Sequence, residues 1–188
     1  MGEHPLITVS GPPGSGTTTL AKHLQERVGF RLLSGGDIFR EMAKEQDMTL
    51  PEFTNYAEEN DDVDRLLDRK LKSKIEKHLA GHQDTESGLV VESRLAGWHA
   101  RGKADLAVLL KAPVEVRIER VDESVESTDQ MVEREQSEAR RYKEYYDIDI
   151  SEYSVYDIVI DTEQFSARET VELVEQALVS TGTAVPDK

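Results

Sequence analysis

Ten residues near the N-terminus, Ser10-Gly11-Pro12-Pro13-Gly14-Ser15-Gly16-Thr17-Thr18-Thr19, constrain this chain more than any other stretch. They match the phosphate-loop pattern G-x-x-x-x-G-K-[ST] at every fixed position but one. Gly11 and Gly16 have the required spacing, Thr18 fills the metal-ligand position, and Thr17 stands where the lysine belongs. Leu6-Ile7-Thr8-Val9 is a short apolar, β-branched run that reads as a buried strand. Leu20, Leu24 and Val28 recur at helical spacing, so a helix begins near Gly16. Strand, glycine loop and helix is the context in which backbone N–H groups and the helix dipole converge on an anion. Without a ligand, the same residues would be an ordinary Gly/Pro turn.

The missing lysine has a definite cost. It removes a point charge from the β- and γ-phosphates, and one such contact is worth ~3 kcal/mol of transition-state stabilisation, or ~100-fold. Lys22 does not replace it, because five helical residues turn it about 140° away from position 17. If the loop geometry is ordinary, Thr17→Lys should leave activity equal or higher.

The remaining strands are predicted at Phe30–Leu33, Leu89–Glu92, Leu106–Leu110 and Asp157–Asp161. They alternate with helical segments, which predicts an α/β fold with a five-stranded parallel sheet. About fifty helical residues separate the second and third strands, with Val63, Leu67, Leu71, Ile75 and Leu79 forming one apolar stripe. His82–Ser87 reads as a polar loop and Asp122–Asp129 as an acidic hinge or loop. Helices are predicted over Pro113–Val121 and Met131–Tyr146, and Gly182–Lys188 reads as a frayed end. Ser166 and Glu169 form a capping box for a last helix.

In such sheets ligands sit beyond the C-terminal strand ends. After the second strand come Asp37 and Arg40, and after the third come Glu92 and Arg94. A carboxylate at Glu92 suits Mg²⁺ held directly or through water, together with the Thr18 hydroxyl. Arginine suits phosphate because its fork is bidentate. Arg134 and Arg141 are seven residues apart on one helical face, where they could close over a phosphate chain. The competing readings are surface ion pairs: Arg40 with Glu41, Arg94 with Glu92, and Arg141 with Glu138. Trp98 suits packing better than base stacking. Asp61, Asp64, Arg65 and Arg69 on the middle helix are the candidates for reading a base.

These blocks together resemble the nucleoside monophosphate kinases, and most of all the archaeal type of cytidylate kinase. The resemblance rests on the phosphate loop, Ser34-Gly35-Gly36-Asp37-Ile38-Phe39-Arg40, Glu92-Ser93-Arg94-Leu95-Ala96-Gly97 and the arginine-rich helix around Arg134. The tails Arg140–Asp149 and Ser154–Thr162 agree with it, and it covers roughly residues 4 to 180. It implies a P-loop NTPase three-layer fold with a helical NMP-binding insertion and a lid. The division would be a core of 1–34, 87–121 and 154–181, an NMP-binding region of 35–80 and a lid of 122–147.

The implied reaction is phosphoryl transfer from ATP to CMP or dCMP with Mg²⁺. By position, Gly11, Pro12, Pro13, Gly14, Ser15, Gly16, Thr17, Thr18 and Thr19 would hold the donor phosphates. Asp37, Arg40, Arg94 and Asp64 would hold the acceptor, and Arg94, Arg134, Arg140 and Arg141 would be catalytic. Thr18 and Glu92 would bind the metal. The family's approach to the lid tends to carry an extra arginine, which Val121-Asp122-Glu123-Ser124 lacks. Two other readings stay open. One is another small kinase, such as an adenylate kinase or one acting on a non-nucleotide alcohol. The other is a nucleotide-binding regulator without catalysis.

Composition sets the remaining bounds. The 188 residues suit one domain, and there is no cysteine for disulfides or thiol chemistry. No membrane span or signal peptide is expected, and the reading is a cytoplasmic monomer. With 38 acidic and 23 basic residues the net charge is −15, a surface that repels nucleic acid and anionic membranes. Positive charge must therefore gather at the phosphate site. Such an acidic surface fits a high-salt interior, where screening shortens repulsion to a few Å. The melting temperature and the catalytic rate should both rise as KCl is raised into the molar range. An optimum for both at low salt would sink this reading.

Overall fold

The computed structural model describes residues 4–81, 88–121 and 127–182. Its five strands are β1 (Leu6–Ser10), β2 (Arg31–Ser34), β3 (Leu89–Glu92), β4 (Leu106–Lys111) and β5 (Ile158–Asp161). They form one parallel sheet in the order β2-β3-β1-β4-β5. The phosphate loop follows β1, at the centre of the sheet, beside β3, which ends in Glu92.

Both faces of the sheet are covered, so its strands are apolar throughout rather than alternating. Ile7, Val9, Val90 and Val108 face α1 (Thr17–Val28) and α8 (Ala167–Ser180), and they pack with Leu20, Leu24, Val174 and Leu178. Leu6, Leu89 and Val91 face the other way. They pack with residues of α2 (Gly35–Glu45), α3 (Leu50–Glu59), α4 (Asp62–Leu79) and α5 (Ala96–His99), including Ile38, Phe53, Leu71 and Ile75. Consecutive residues of one strand thus feed opposite cores, as a period of two requires.

The long helical stretch between β2 and β3 is three helices rather than one. Asp47 has φ 53°, which ends the run after α2. Thr49 and Glu52 form a capping box that starts α3. The α4 stripe is as expected: Val63, Leu71 and Ile75 are buried, with Leu67 and Leu79 packed against the same core.

Four strand boundaries differ by one residue from expectation: both ends of β2, the end of β4 and the start of β5. Gly29 closes α1 in the left-handed conformation, and pairing begins at Arg31, whose N–H donates to Gly88 O at 3.0 Å. At β5, the Asp157 carboxylate accepts from Ala107 N at 2.7 Å, ahead of the ladder that begins at Ile158.

Past β4 come α6 (Val114–Arg120) and α7 (Thr128–Tyr146). Within the expected hinge at 122–129, Thr128 and Asp129 already belong to α7, because Ser127 and Gln130 form its capping box. The rest of that hinge, the loop at 82–87 and all but Gly182 of the expected frayed end lie outside the described residues. The capping box at Ser166 and Glu169 is present as predicted. Among the described residues, no helix is long and apolar enough to cross a membrane.

Candidate active site

The phosphate loop is held by its carbonyl oxygens. Arg117 of α6 is buried, at 6% exposure, and its Nη1 donates to Pro13 O at 3.1 Å while Nε donates to Ala112 O at 3.0 Å. Arg120 donates to Gly14 O at 3.4 Å. Thr162, just past β5, donates to Ser15 O at 3.0 Å. Arg120 also grips Thr162, with Nη1 to Oγ1 at 2.9 Å and Nη2 to the carbonyl at 2.7 Å. Three consecutive loop carbonyls are therefore fixed from outside. The unpaired N–H groups of the first turn of α1 remain for a ligand.

Glycine is required here for contact as well as for conformation. A Cβ on Gly14, at φ 77°, would lie 2.5 Å from Arg117 O, and one on Gly11 would lie 2.5 Å from Leu110 O.

Glu92 closes the inner end of the loop. Its Oε1 accepts from Thr17 Oγ1 at 3.0 Å and lies 3.5 Å from Thr18 Oγ1, while its Oε2 accepts from Ser34 Oγ at 2.7 Å. The threonine in the lysine position thus has a partner, and that partner is the carboxylate expected to serve a metal. Glu92 is not paired with Arg94. Hydroxyl and carboxylate oxygens are the hard donors that suit Mg²⁺, which keeps waters and binds largely through substrate phosphates. No three His, Cys, Asp or Glu residues among those described cluster as a metal site, so the donor set fits an ion shared with a phosphate ligand.

These residues open into a cleft of about 1550 Å³. Single-ligand pockets run to about 1,000 Å³, so it has room for two nucleotides. Its lining includes six arginines, Arg40, Arg94, Arg120, Arg134, Arg140 and Arg141, and five carboxylates, Glu58, Asp64, Glu92, Glu133 and Glu138. Against a net charge of −15 for the chain, this is a local reversal of sign.

Most of the candidate residues meet at this cleft. Gly11, Pro13 and Gly14 through Thr19 line it, as do Glu92, Arg94, Arg134, Arg140 and Arg141. Pro12 does not; its carbonyl accepts the N–H of Ser15 at 3.1 Å and the Ser15 hydroxyl at 2.7 Å. Asp37 also stays outside the lining and instead holds Arg40, with Nη2 to Oδ1 at 2.6 Å. Arg40 is therefore paired, but with Asp37 and not Glu41.

Asp64 lines the cleft and is engaged by α7: Arg141 Nε donates to its Oδ2 at 2.7 Å, and Arg141 Nη1 donates to Ser137 Oγ at 2.7 Å. Burial holds the Asp64 carboxyl above the ordinary carboxylate range, although Arg141 pulls it down. Glu138 pairs with Arg94 and Arg134.

Of the four base-reading candidates, only Asp64 reaches the cleft. Arg65 lies over the Tyr145 ring at 4.4 Å, and Arg69 faces a separate groove with Ile38, Glu41 and Lys74. The helical turn of 100° per residue sends these neighbours to different sides. On the side of α2, α3 and α4 the cleft is lined instead by Phe39, Leu50, Thr54, Asn55, Glu58 and Leu67. Trp98 packs in a cluster with Leu95, Tyr142 and Ile148.

Sequence reasoning missed Arg117 and Arg120. Their signal is an Arg-x-x-Arg pair at the end of the short helix after β4. Arg120 also lines the cleft.

Thr17→Lys would place an ammonium beside Glu92. We expect activity at least equal to that of the parent, read by steady-state rates. A collapse would show that Thr17 is matched to Glu92 and cannot be replaced by a charge.

A shikimate kinase structure from Acinetobacter baumannii matches the fold with a TM-score of 0.58, 21% identity and 94% of both chains covered. An uncharacterized protein from Eubacterium ventriosum matches with a TM-score of 0.64, 15% identity and coverage of 94% of this chain and 99% of that one. These likenesses speak to the fold, a P-loop-type kinase architecture. In sequence, the chain is 43% identical to the cytidylate kinase of Archaeoglobus fulgidus, covering 92% of this chain and 93% of that one. It is 45% identical to the cytidylate kinase of Halorubrum lacusprofundi (90% and 86% covered) and 44% identical to that of Methanosarcina acetivorans (92% and 95% covered). The model of the cytidylate kinase-like family matches residues 6–164. With its phosphate loop, strand-end carboxylate and arginine-lined cleft in place, the chain belongs to the cytidylate kinase-like family.

Proposed function

We propose that this protein transfers the γ-phosphoryl group of ATP to CMP or dCMP, with Mg²⁺. The observation that carries this reading is the cleft itself. The phosphate loop and residues of α2, α3 and α4 line one cavity, with arginines from α2, the end of β3, α6 and α7.

The chemistry needs alignment and charge neutralisation more than a base, because the acceptor phosphate is already an anionic nucleophile. Its oxygen forms the new bond to the γ-phosphorus as the bond to the leaving ADP breaks. The amides of Gly14–Thr19 hold the donor phosphates, and Arg120 stands at the outer side of that loop. Arg40, oriented by Asp37, and Arg94 hold the acceptor phosphate from the α2 and β3 sides. Arg134, Arg140 and Arg141 approach from α7 as the lid. Thr18 and Glu92 would hold Mg²⁺, which neutralises phosphate charge when bound. The lining at Phe39, Thr54, Asn55 and Glu58 offers the base an apolar wall with amide, hydroxyl and carboxylate groups.

Steady-state assays across CMP, dCMP, UMP, AMP and shikimate test the substrate. We expect CMP or dCMP to give the highest kcat/KM; best turnover on AMP or shikimate would defeat the reading. Tight nucleotide binding in calorimetry with no ADP formed would point to a regulator instead. Arg94→Ala should lower kcat by ~100-fold, the scale of losing one preorganised transition-state contact. An unchanged rate would remove Arg94 from the reaction.

A further inference from the structure

Two arginines of the cleft each meet a carboxylate at Nε, one through a hydrogen bond and one through charge alone. Arg141 presents its Nε edge to Asp64 Oδ2. Arg94 presents its Nε edge to Glu138 Oε2 at 3.1 Å. A carboxylate at Nε leaves terminal guanidinium nitrogens for phosphate, although Arg141 Nη1 also donates to Ser137 Oγ.

The Arg94–Glu138 contact has three further properties. It joins separate elements, since Arg94 follows β3 and Glu138 lies in the middle of α7. It is shielded, with side-chain exposures of 17% and 15%. It is also an ion pair off the hydrogen-bonding line, because neither buried atom has an aligned partner. The attraction thus places Arg94 without locking its rotation. The other oxygen of Glu138 lies 4.0 Å from Arg134 Nη1, so one carboxylate sits between the two cations. Glu135, one turn earlier, is 3.9 Å from Arg94 Nη2 and is bound mainly to Arg117, whose Nη2 donates to it at 3.0 Å.

We propose that Glu138 is a positioning residue, the anion that brings Arg94 and the lid residue Arg134 together over the phosphates when α7 is seated. The proposal rests on the kinase reading above. It makes lid docking and the setting of the acceptor clamp one event: Glu138 reaches Arg94 only while α7 is in place. A carboxylate in a phosphate site is then no contradiction, since its charge is spent on two arginines.

A double-mutant cycle tests this, measured on whichever monophosphate the parent phosphorylates best. Glu138→Ala should lower kcat by ~10-fold or more, as expected when a clamp is misplaced by about an ångström. In an Arg94→Ala background the same change should cost less than about twofold, because coupled residues are not additive. Glu138→Gln keeps the side-chain volume and loses the charge; it should behave as Glu138→Ala does, and it keeps the cycle readable if the alanine variant does not fold. Equal effects in both backgrounds would overturn the proposal, as would unchanged kcat. A rise in kcat or a fall in KM would also overturn it, by showing that Glu138 competes with phosphate. A parent that phosphorylates no monophosphate would remove this inference and the kinase reading together, whereas an active parent with an additive cycle would remove only this inference.

Discussion

A loop that offers its amides to an anion must dispose of its carbonyls elsewhere, and the structure is arranged around that constraint. The carbonyls of Pro13, Gly14 and Ser15 each accept from a different donor, Arg117, Arg120 and Thr162. These donors come from α6 and from the end of β5, so the loop takes its shape only when the edge of the sheet beyond β4 is complete. Arg117 is buried there and also binds Glu135 on α7. The same side chain that sets the phosphate loop therefore also ties down α7. A buried guanidinium is tolerated because its donors find two carbonyls and a carboxylate.

The second organising problem is charge. A protein with a net charge of −15 must still attract polyphosphate. It does so by gathering arginines from α2, the β3 end, α6 and α7 into one cleft. These cations are not left bare. Asp37 takes Arg40, Asp64 takes Arg141, and Glu138 stands between Arg94 and Arg134. Arg40 and Arg141 are held by hydrogen bonds to their carboxylates, whereas Arg94 is placed by attraction alone. The acids in the cleft thus preorganise the cations, and preorganisation is what phosphoryl transfer draws on. Glu92 differs from the others because its partners are the hydroxyls of Ser34 and Thr17, which leaves its charge available to a cation.

Much of the fold was legible in the sequence, for identifiable reasons. The strands are covered on both faces, so Leu6–Ser10, Leu89–Glu92 and Leu106–Lys111 are apolar runs with clear ends. The capping boxes at Ser166 and the stripe on α4 follow from local rules and appear as expected. What was not legible depends on distant partners. The start of β2 was displaced by one residue because Gly88 pairs with Arg31. Arg65 and Arg69 share a helix with Asp64, yet of the three only Asp64 lines the cleft. Arg117 and Arg120 look like ordinary residues at the end of a short helix, and their function depends on carbonyls about a hundred positions away.

By itself, the sequence determined the strand–loop–helix that binds phosphate, the parallel α/β architecture and the presence of arginines after the strands and on α7. Those properties follow from spacing, hydrophobic period and turn chemistry, all of which act over a few residues. The tertiary structure decided which charge faces which. It turned Thr17 toward Glu92, gave Arg94 to Glu138 and Arg141 to Asp64, and fixed the loop carbonyls through Arg117 and Arg120. Ion pairs between elements far apart in sequence have no local signature, because their energy depends on distance and burial that exist only once the sheet has brought those elements together.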